Sequence, residues 1–332
     1  MRPLRASLAV AVLAALAWLA WRSIEWEGFA QAFADANPVM LLWMMLAWSM
    51  QLLIRPYRFL IMLRAMVPSM KFDYAGVARA NVLAVAANNL LPARAGDLVM
   101  VMVLRKMSSI KARHSLPATA LDKGVDLLIM LALFLGILAN LDTAPAWVPR
   151  SAQVGLGAFL VILVGVCVVA YRPDALLRMA AHLLRWFSKD RRTRWLGVLQ
   201  DMSDGTAAAM KPAVVVEVMA LTLLLWVFNV ASFLCGIRAV IPEVSLAGAA
   251  FTLAAVGLSF LIPVVPGGLG IYHATAVVAL ALFGIPLEKA MVFAILAHGL
   301  PYLTSLAVGY AVSMKTGLGM DLIAKSHESS ER

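Results

Sequence analysis

The sequence predicts an all-α polytopic membrane protein, with about six full spans plus two re-entrant helical hairpins that enter from opposite faces in an inverted-repeat-like pattern. Three observations predict it. Hydrophobic residues make up 63% of the 332 and charged residues only 14%, with a mean hydropathy of +0.87, well outside the usage of soluble domains. Apolar runs long enough to cross ~30 Å of hydrocarbon recur along the chain. Two further apolar regions are each interrupted at the middle by Pro, Gly and polar residues.

The first apolar run, 6–22, follows Arg2 and Arg5 and continues to Trp21 without a small-residue cleavage pattern, so it reads as a retained anchor rather than a signal peptide. Further spans are expected over 38–62, 116–140, 152–171, 212–237 and 288–314. Basic residues gather in four zones: Arg2 and Arg5; Arg55, Arg58, Arg64 and Lys71; Arg105, Lys106, Lys111 and Arg113; and the stretch 172–211. All four fall on one side of this arrangement, and the loops opposite, around Glu25, Glu27, Asp35, Asp142 and Glu243, are comparatively acidic. The positive-inside bias makes the basic side cytoplasmic, which places both termini in the cytoplasm of a bacterial cell and the chain in its inner membrane. One transmembrane domain is expected over 1–315, followed by a polar, disordered cytoplasmic tail over 316–332.

The two interrupted regions need a different geometry. The first, 74–106, breaks at Asn88-Asn89-Leu90-Leu91-Pro92-Ala93-Arg94-Ala95-Gly96-Asp97 and carries basic residues at both ends. The second, 246–284, breaks at Pro263-Val264-Val265-Pro266-Gly267-Gly268-Leu269-Gly270. Lipid cannot satisfy backbone groups freed at membrane depth, so such breaks belong where they are buried in protein or line a watery cavity. Two of them in corresponding halves match the midplane binding site of inverted-repeat transporters. The plainer reading is that Pro and Gly kink two ordinary spans.

The stretch 172–211 mixes Arg178, Arg185, Arg191, Arg192 and Arg194 with Leu183, Leu184, Trp186, Phe187 and Trp195. It reads as an interfacial amphipathic helix on anionic cytoplasmic lipid, or else as a basic loop that only sets topology.

Charges inside apolar segments cost roughly 2.5–3.5 kcal/mol each at a helix centre. Here they are Arg79, Arg94, Asp97, Asp122, Lys123, Asp126 and, nearer an interface, Glu217. Asp122 and Asp126, four apart, share a helix face, and Lys123 stands three before Asp126, where it can pair with it. One reading has Arg94 and Asp97 pair with the 122–126 cluster and only tie helices together. The other makes Arg94 an anion contact, because a Pro92-to-Gly96 turn opening a helix aims N–H groups and a positive dipole end at a phosphate that Arg can grip bidentately. Arg55, Arg58, Asn88, Asn89, Asp97, Asp122, Lys123 and Asp126 complete the candidate lipid-binding set. Pro92, Gly96, Pro263, Pro266, Gly267, Gly268 and Gly270 are its hinge and cavity backbone, glycine letting a partner approach closely. Asp122, Asp126 and His273 are the available proton carriers, although a lone membrane histidine such as His273 or His298 is more often a hydrogen-bonding residue.

Other function classes find little support. Net charge is +10, but the cations sit at span ends rather than in a nucleic-acid-binding patch. Cys167 and Cys235 lie in apolar runs, which argues against a disulfide or a metal pair. No zincin, nucleophile-elbow or nucleotide-loop motif is present, so neither an enzyme active site nor a cofactor is expected.

Asn88 to Asp97, Asp122-Lys123-Gly124-Val125-Asp126 and Pro263 to His273, in this order, resemble the three motif zones of the flippase-like family, also called the lysylphosphatidylglycerol synthase transmembrane region. The resemblance covers roughly residues 5–315. The family's Asn, Pro, Arg, Gly and acidic pattern maps onto Asn89, Pro92, Arg94, Gly96 and Asp97. Its acidic-basic-x-x-Asp pattern maps onto Asp122, Lys123 and Asp126, and its Pro-Gly-Gly turn onto Pro266, Gly267 and Gly268. The chain departs from the pattern at Met100, where members often have Arg, and at His273, where they have an acidic residue. No soluble aminoacyl-transferring domain accompanies these motifs. The resemblance implies a stand-alone module that moves a polar-headed lipid between leaflets, with a phospholipid, a polyprenyl phosphate or a hopanoid-type lipid as substrate. A non-catalytic partner of a lipid-biosynthesis or glycan-lipid enzyme, and a membrane-embedded lipid transferase using Asp122 or Asp126 as base, are the alternatives.

Overall fold

The computed structural model describes residues 25–91, 95–108, 110, 112–139, 148–171, 173–261 and 266–317, and among them every regular element is helical. A short helix, α1 (Trp26–Ala34), leads into α2 (Pro38–Met66), whose start is fixed by Pro38 in its first turn and by Asn37, whose side chain accepts from the Val39 and Met40 N–H groups at 2.9 and 3.3 Å. Next come α3 (Tyr74–Leu90), capped by Asp73 through the Gly76 N–H at 2.9 Å, and α4 (Gly96–Ser108). They are followed by α5 (Ala112–Leu138), α6 (Val148–Tyr171), α7 (Pro173–Leu183), α8 (Lys189–Ala209) and α9 (Pro212–Arg238). The chain continues through α10 (Leu246–Ser259), capped by Ser245, α11 (Ile271–Ala281) and α12 (Leu287–Thr316).

By length and apolar composition, α2, α9 and α12 can cross a bilayer. They coincide with the runs expected at 38–62, 212–237 and 288–314. The runs at 116–140 and 152–171 correspond to α5 and α6, while 6–22 and the tail beyond Gly317 lie outside the described residues. The helices α3, α4, α10 and α11 have 17, 13, 14 and 11 residues, each short of the ~20 that a span needs. They pack as two pairs, α3 on α4 and α10 on α11.

Both breaks differ from expectation in extent. Asn88 and Asn89 are still helical and α4 begins at Gly96, so the first interruption narrows to residues 91–95. The second widens, because α10 stops at Ser259 and α11 starts at Ile271, with a 3-10 turn at Pro266–Gly268 between them. Pro92, Arg94 and Pro263 lie outside the described residues. The single amphipathic helix expected over 172–211 is divided. A 3-10 turn, Leu184–Trp186, ends α7, and extended backbone at Phe187 and Ser188 turns the chain into α8. The C-terminal part of α8 buries Ser203, Thr206 and Ala209 and docks on α2 and α5, so this part is packing surface.

The two largest apolar cores among the described residues lie mainly in opposite halves of the chain. Phe59, Leu60 and Leu63 of α2 pack with Val77, Ala80 and Leu83 of α3 and Val103 and Leu104 of α4. In the other half Ile237 of α9, Ala276 and Leu280 of α11, and Val292 and Phe293 of α12 pack together. The longest seam, α2 along α9, bridges the two and includes the Ser232 hydroxyl donating to the Met44 carbonyl at 3.0 Å. Small residues let α12 approach α3, for a side chain at Gly309 would overlap Ala86.

Candidate functional site

Where α2, α5 and α9 meet, the membrane-interior charges neutralise one another. Arg58 is fully buried; its Nε and Nη2 donate to Asp122 Oδ1 at 3.0 and 2.7 Å, and its Nη1 donates to Asp126 Oδ1 at 2.7 Å and Thr222 Oγ1 at 3.1 Å. Thr222 can accept because its own hydroxyl proton goes to the Val218 carbonyl at 2.7 Å. One guanidinium thus ties three helices, and the i, i+4 placement of the two carboxylates on α5 is what lets it reach both. Asp126 turns its other oxygen to Arg55 Nη1 at 3.3 Å. Lys123 does not pair with Asp126. Its Nζ reaches across to Asp97 Oδ1 of α4 at 3.2 Å, because Asp126 is already held by two arginines. Arg55, Arg58 and Lys123 therefore balance Asp97, Asp122 and Asp126, three charges against three.

The two helix pairs meet at a second cluster, on α12. The Asn89 carboxamide donates to Ser305 Oγ at 2.6 Å, and the Asn89 carbonyl accepts from the Tyr302 hydroxyl at 3.2 Å. From the other pair, the Gly267 carbonyl lies 3.0 Å from His298 Nε2. Gly267 has φ 62, and a Cβ there would stand 2.7 Å from the Tyr302 ring and 3.0 Å from the Asn89 carbonyl oxygen, so only glycine fits this crossing. The tips of the two pairs touch each other, and α12 bonds to both. Tyr272 stacks on His298 with centroids 4.4 Å apart, and the His273 ring lies 5.1 Å from that of His298.

Between these clusters lies a cavity of about 690 Å³. It is lined by Arg55, Asp97, Lys123 and Asp126 of the first cluster, by Asn89, Gly267, Gly268, His298 and Tyr302 of the second, and by Trp48, Gln51, Trp226, Asn229 and Tyr272. Of the residues singled out from sequence, Arg55, Asn88, Asn89, Asp97, Lys123, Asp126, Gly267 and Gly268 line this space, whereas Arg58 and Asp122 stand behind the wall with their polar atoms committed to each other. Asn88 also satisfies the Gly96 N–H at 2.9 Å, so that donor of the α4 N-terminus is used within the protein. A side chain at Gly96 would overlap the Ala84 carbonyl, which accounts for glycine there. Gln51, Trp226, Asn229, Tyr302 and Ser305 were missed from sequence. Their signal was spacing: Gln51-Arg55-Arg58, Thr222-Trp226-Asn229 and His298-Tyr302-Ser305 each place polar-tipped residues at i, i+4 and i+7 of an apolar helix, one face in every case.

A family model described as the lysylphosphatidylglycerol synthase transmembrane region matches residues 6–309. Among curated proteins, the chain is 26% identical over 273 residues to a protein named glycosyltransferase AglD from Haloferax volcanii, covering 74% of this chain and 43% of that one. The chain thus spans less than half the length of that relative. No solved structure matches.

Proposed function

Since the chain belongs to the lysylphosphatidylglycerol synthase transmembrane-region family, we propose that it moves a polar-headed or phosphate-bearing lipid between the leaflets of a bacterial inner membrane, with both termini cytoplasmic. In this reading α3/α4 and α10/α11 are re-entrant hairpins entering from opposite faces, added to six spans, and their contact marks the midplane. The observation that carries the proposal is the cavity, lined by the ion-paired cluster and by the joined tips. Its volume lies within the ~300–1,000 Å³ of sites that enclose drug-sized ligands, so it suits a headgroup whose tails stay in the bilayer.

The charge balance shapes the mechanism. An anion entering a neutral cluster must win a cation from a carboxylate, and Arg55 is the one placed to yield. It is partly exposed to the cavity and holds Asp126 through a single 3.3 Å contact, while Arg58 keeps Asp126 neutralised from behind. Arg94, which lies in sequence between Leu91 and Ala95 and outside the described residues, is the second phosphate contact proposed. Asp122 and Asp126, paired with arginine, and His273 are the groups available to a proton-driven step.

Liposomes containing the purified protein, loaded with labelled phospholipid or polyprenyl phosphate, test this. Wild type is expected to move one class between leaflets, and Arg55→Gln and Arg94→Ala to abolish movement at unchanged membrane abundance. Movement equal in wild type and both variants would refute phosphate reading. A second proposed reading, a membrane partner of a glycan-lipid enzyme, draws on the name of the relative and on the 43% of it that the match covers. It predicts no movement by the protein alone and co-purification of an enzyme.

A further inference from the structure

The ionic cluster accounts for only part of the cavity lining. Three further lining side chains, each more than nine-tenths buried, carry polar groups without a hydrogen-bond partner among the described residues. Trp226 is 8% exposed and Tyr272 5%; the indole Nε1 and the phenolic oxygen of these two have no hydrogen-bond partner among the described residues. Asn229, 9% exposed, lines the same space one turn along α9 from Trp226, and no hydrogen bond from its carboxamide is found among the described residues. Leaving such groups unsatisfied costs about 1–3 kcal/mol each in a protein interior, and a bundle that pairs its buried charges among the described residues nonetheless carries these three on residues that line one cavity. Trp48 and Gln51 of α2 add an aromatic ring and a second carboxamide to the lining.

Flat aromatic rings beside neutral amide, indole and hydroxyl groups form a surface for many hydroxyls and no net charge. A cationic headgroup would meet Arg55 and Lys123 and no free carboxylate among the described residues of the lining. A bare phosphate would leave the neutral groups unpaired. Building on the translocation reading above, we infer that the headgroup taken by this cavity is an uncharged polyol or sugar attached through a phosphate, with Trp226, Asn229 and Tyr272 reading its hydroxyls and Arg55 its phosphate. Trp226 and Asn229 are then specificity residues, since a site built to hydrogen-bond hydroxyls rejects a ligand lacking them.

The test is lipid binding, measured by native mass spectrometry of the purified protein, with transport measured separately in liposomes. The probes are a polyprenyl phosphate sugar, phosphatidylglycerol, and phosphatidic acid as the phosphate-only control. Wild type is expected to bind the first two at least tenfold more tightly than phosphatidic acid. Trp226→Phe keeps an aromatic ring but removes the N–H together with the five-membered half of the indole, and it should weaken the two hydroxylated lipids about five- to tenfold, the scale of one buried hydrogen bond, while leaving phosphatidic acid unchanged. Asn229→Leu should do the same, and Arg55→Gln should weaken all three. Equal binding of the three lipids, or Trp226→Phe and Asn229→Leu acting on all alike, overturns the headgroup inference and leaves translocation standing. Selective binding without movement of any lipid overturns translocation and leaves the site standing. An absence of binding by every probe overturns both.

Discussion

Arg58 shows how one side chain decides whether this bundle exists. It sits at zero exposure with its guanidinium bonded to Asp122, Asp126 and Thr222. Removing it strands Asp122 in a low-dielectric interior and leaves Asp126 to Arg55 alone, and breaking a buried pair in this way costs about 3–5 kcal/mol. Arg58→Leu is therefore expected to lower the melting temperature in detergent and the yield of folded protein, and a triple change that also replaces Asp122 and Asp126 with Asn should recover part of the loss. Arg55→Gln should behave differently, because its contact is longer and partly solvated, so it should melt within a few degrees of wild type. A large fall in melting temperature for Arg55→Gln would show that the two arginines share the structural role. Sequence reasoning found these residues, since charges in apolar helices stand out, and one of its readings paired Asp97 with the 122–126 cluster, but it did not resolve which carboxylate takes which cation. Lys123 and Asp126 are neighbours by spacing, and only the approach of α2 on one side and α4 on the other shows that Asp126 is saturated and Lys123 turned to Asp97.

At the scale of elements, the broken helices were legible because Pro and Gly interrupt apolar runs, and the caps at Asp73 and Ser245 mark where each pair begins. What stayed hidden was that the two breaks touch, since no local pattern encodes a contact between residues as far apart as Asn89 and Gly267. That contact rests on the absence of a side chain. Gly267→Ala would force a left-handed residue to carry a Cβ into the Tyr302 ring and the Asn89 carbonyl. The expected result is a displaced second tip and loss of lipid movement, with helicity by circular dichroism preserved, because α10 and α11 keep their own core. Gly270, at φ 85 and ψ −55 with open space where a Cβ would stand, supplies the comparison: Gly270→Ala carries backbone strain without a collision and should lose much less movement than Gly267→Ala. Equal loss in both variants would mean that backbone conformation alone, rather than the contact, governs the tip. The division between α7 and α8 was missed for a related reason. Leu, Arg and Trp continue on both sides of Phe187, so composition gives no sign of the extended residues that separate the helices.

Taken as a whole, the molecule has a geometric problem that its function must solve. The cavity ends where Asn89 and Gly267 meet on α12, so a headgroup travelling between leaflets either parts those tips or passes along a groove outside them. The first route is alternating access, in which one half of the bundle rocks against the other while small residues such as Gly309 allow α3 to slide on α12. The second leaves the bundle rigid. Asn89 and Ser305 distinguish the two, because their side chains meet at 2.6 Å across the moving boundary. With Cys167 and Cys235 replaced by Ala, the pair Asn89→Cys and Ser305→Cys can be bridged by a short bis-methanethiosulfonate reagent and released by reduction. Alternating access predicts that bridging stops lipid movement and that reduction restores it, while each single cysteine, modified alone, keeps most of its rate. A bridged protein that moves lipid at the unbridged rate would place the path outside the tips. The Asn89–Ser305 and Gly267–His298 contacts would then be static struts, and the headgroup would be read in passing by the wall that carries Arg55 and Lys123.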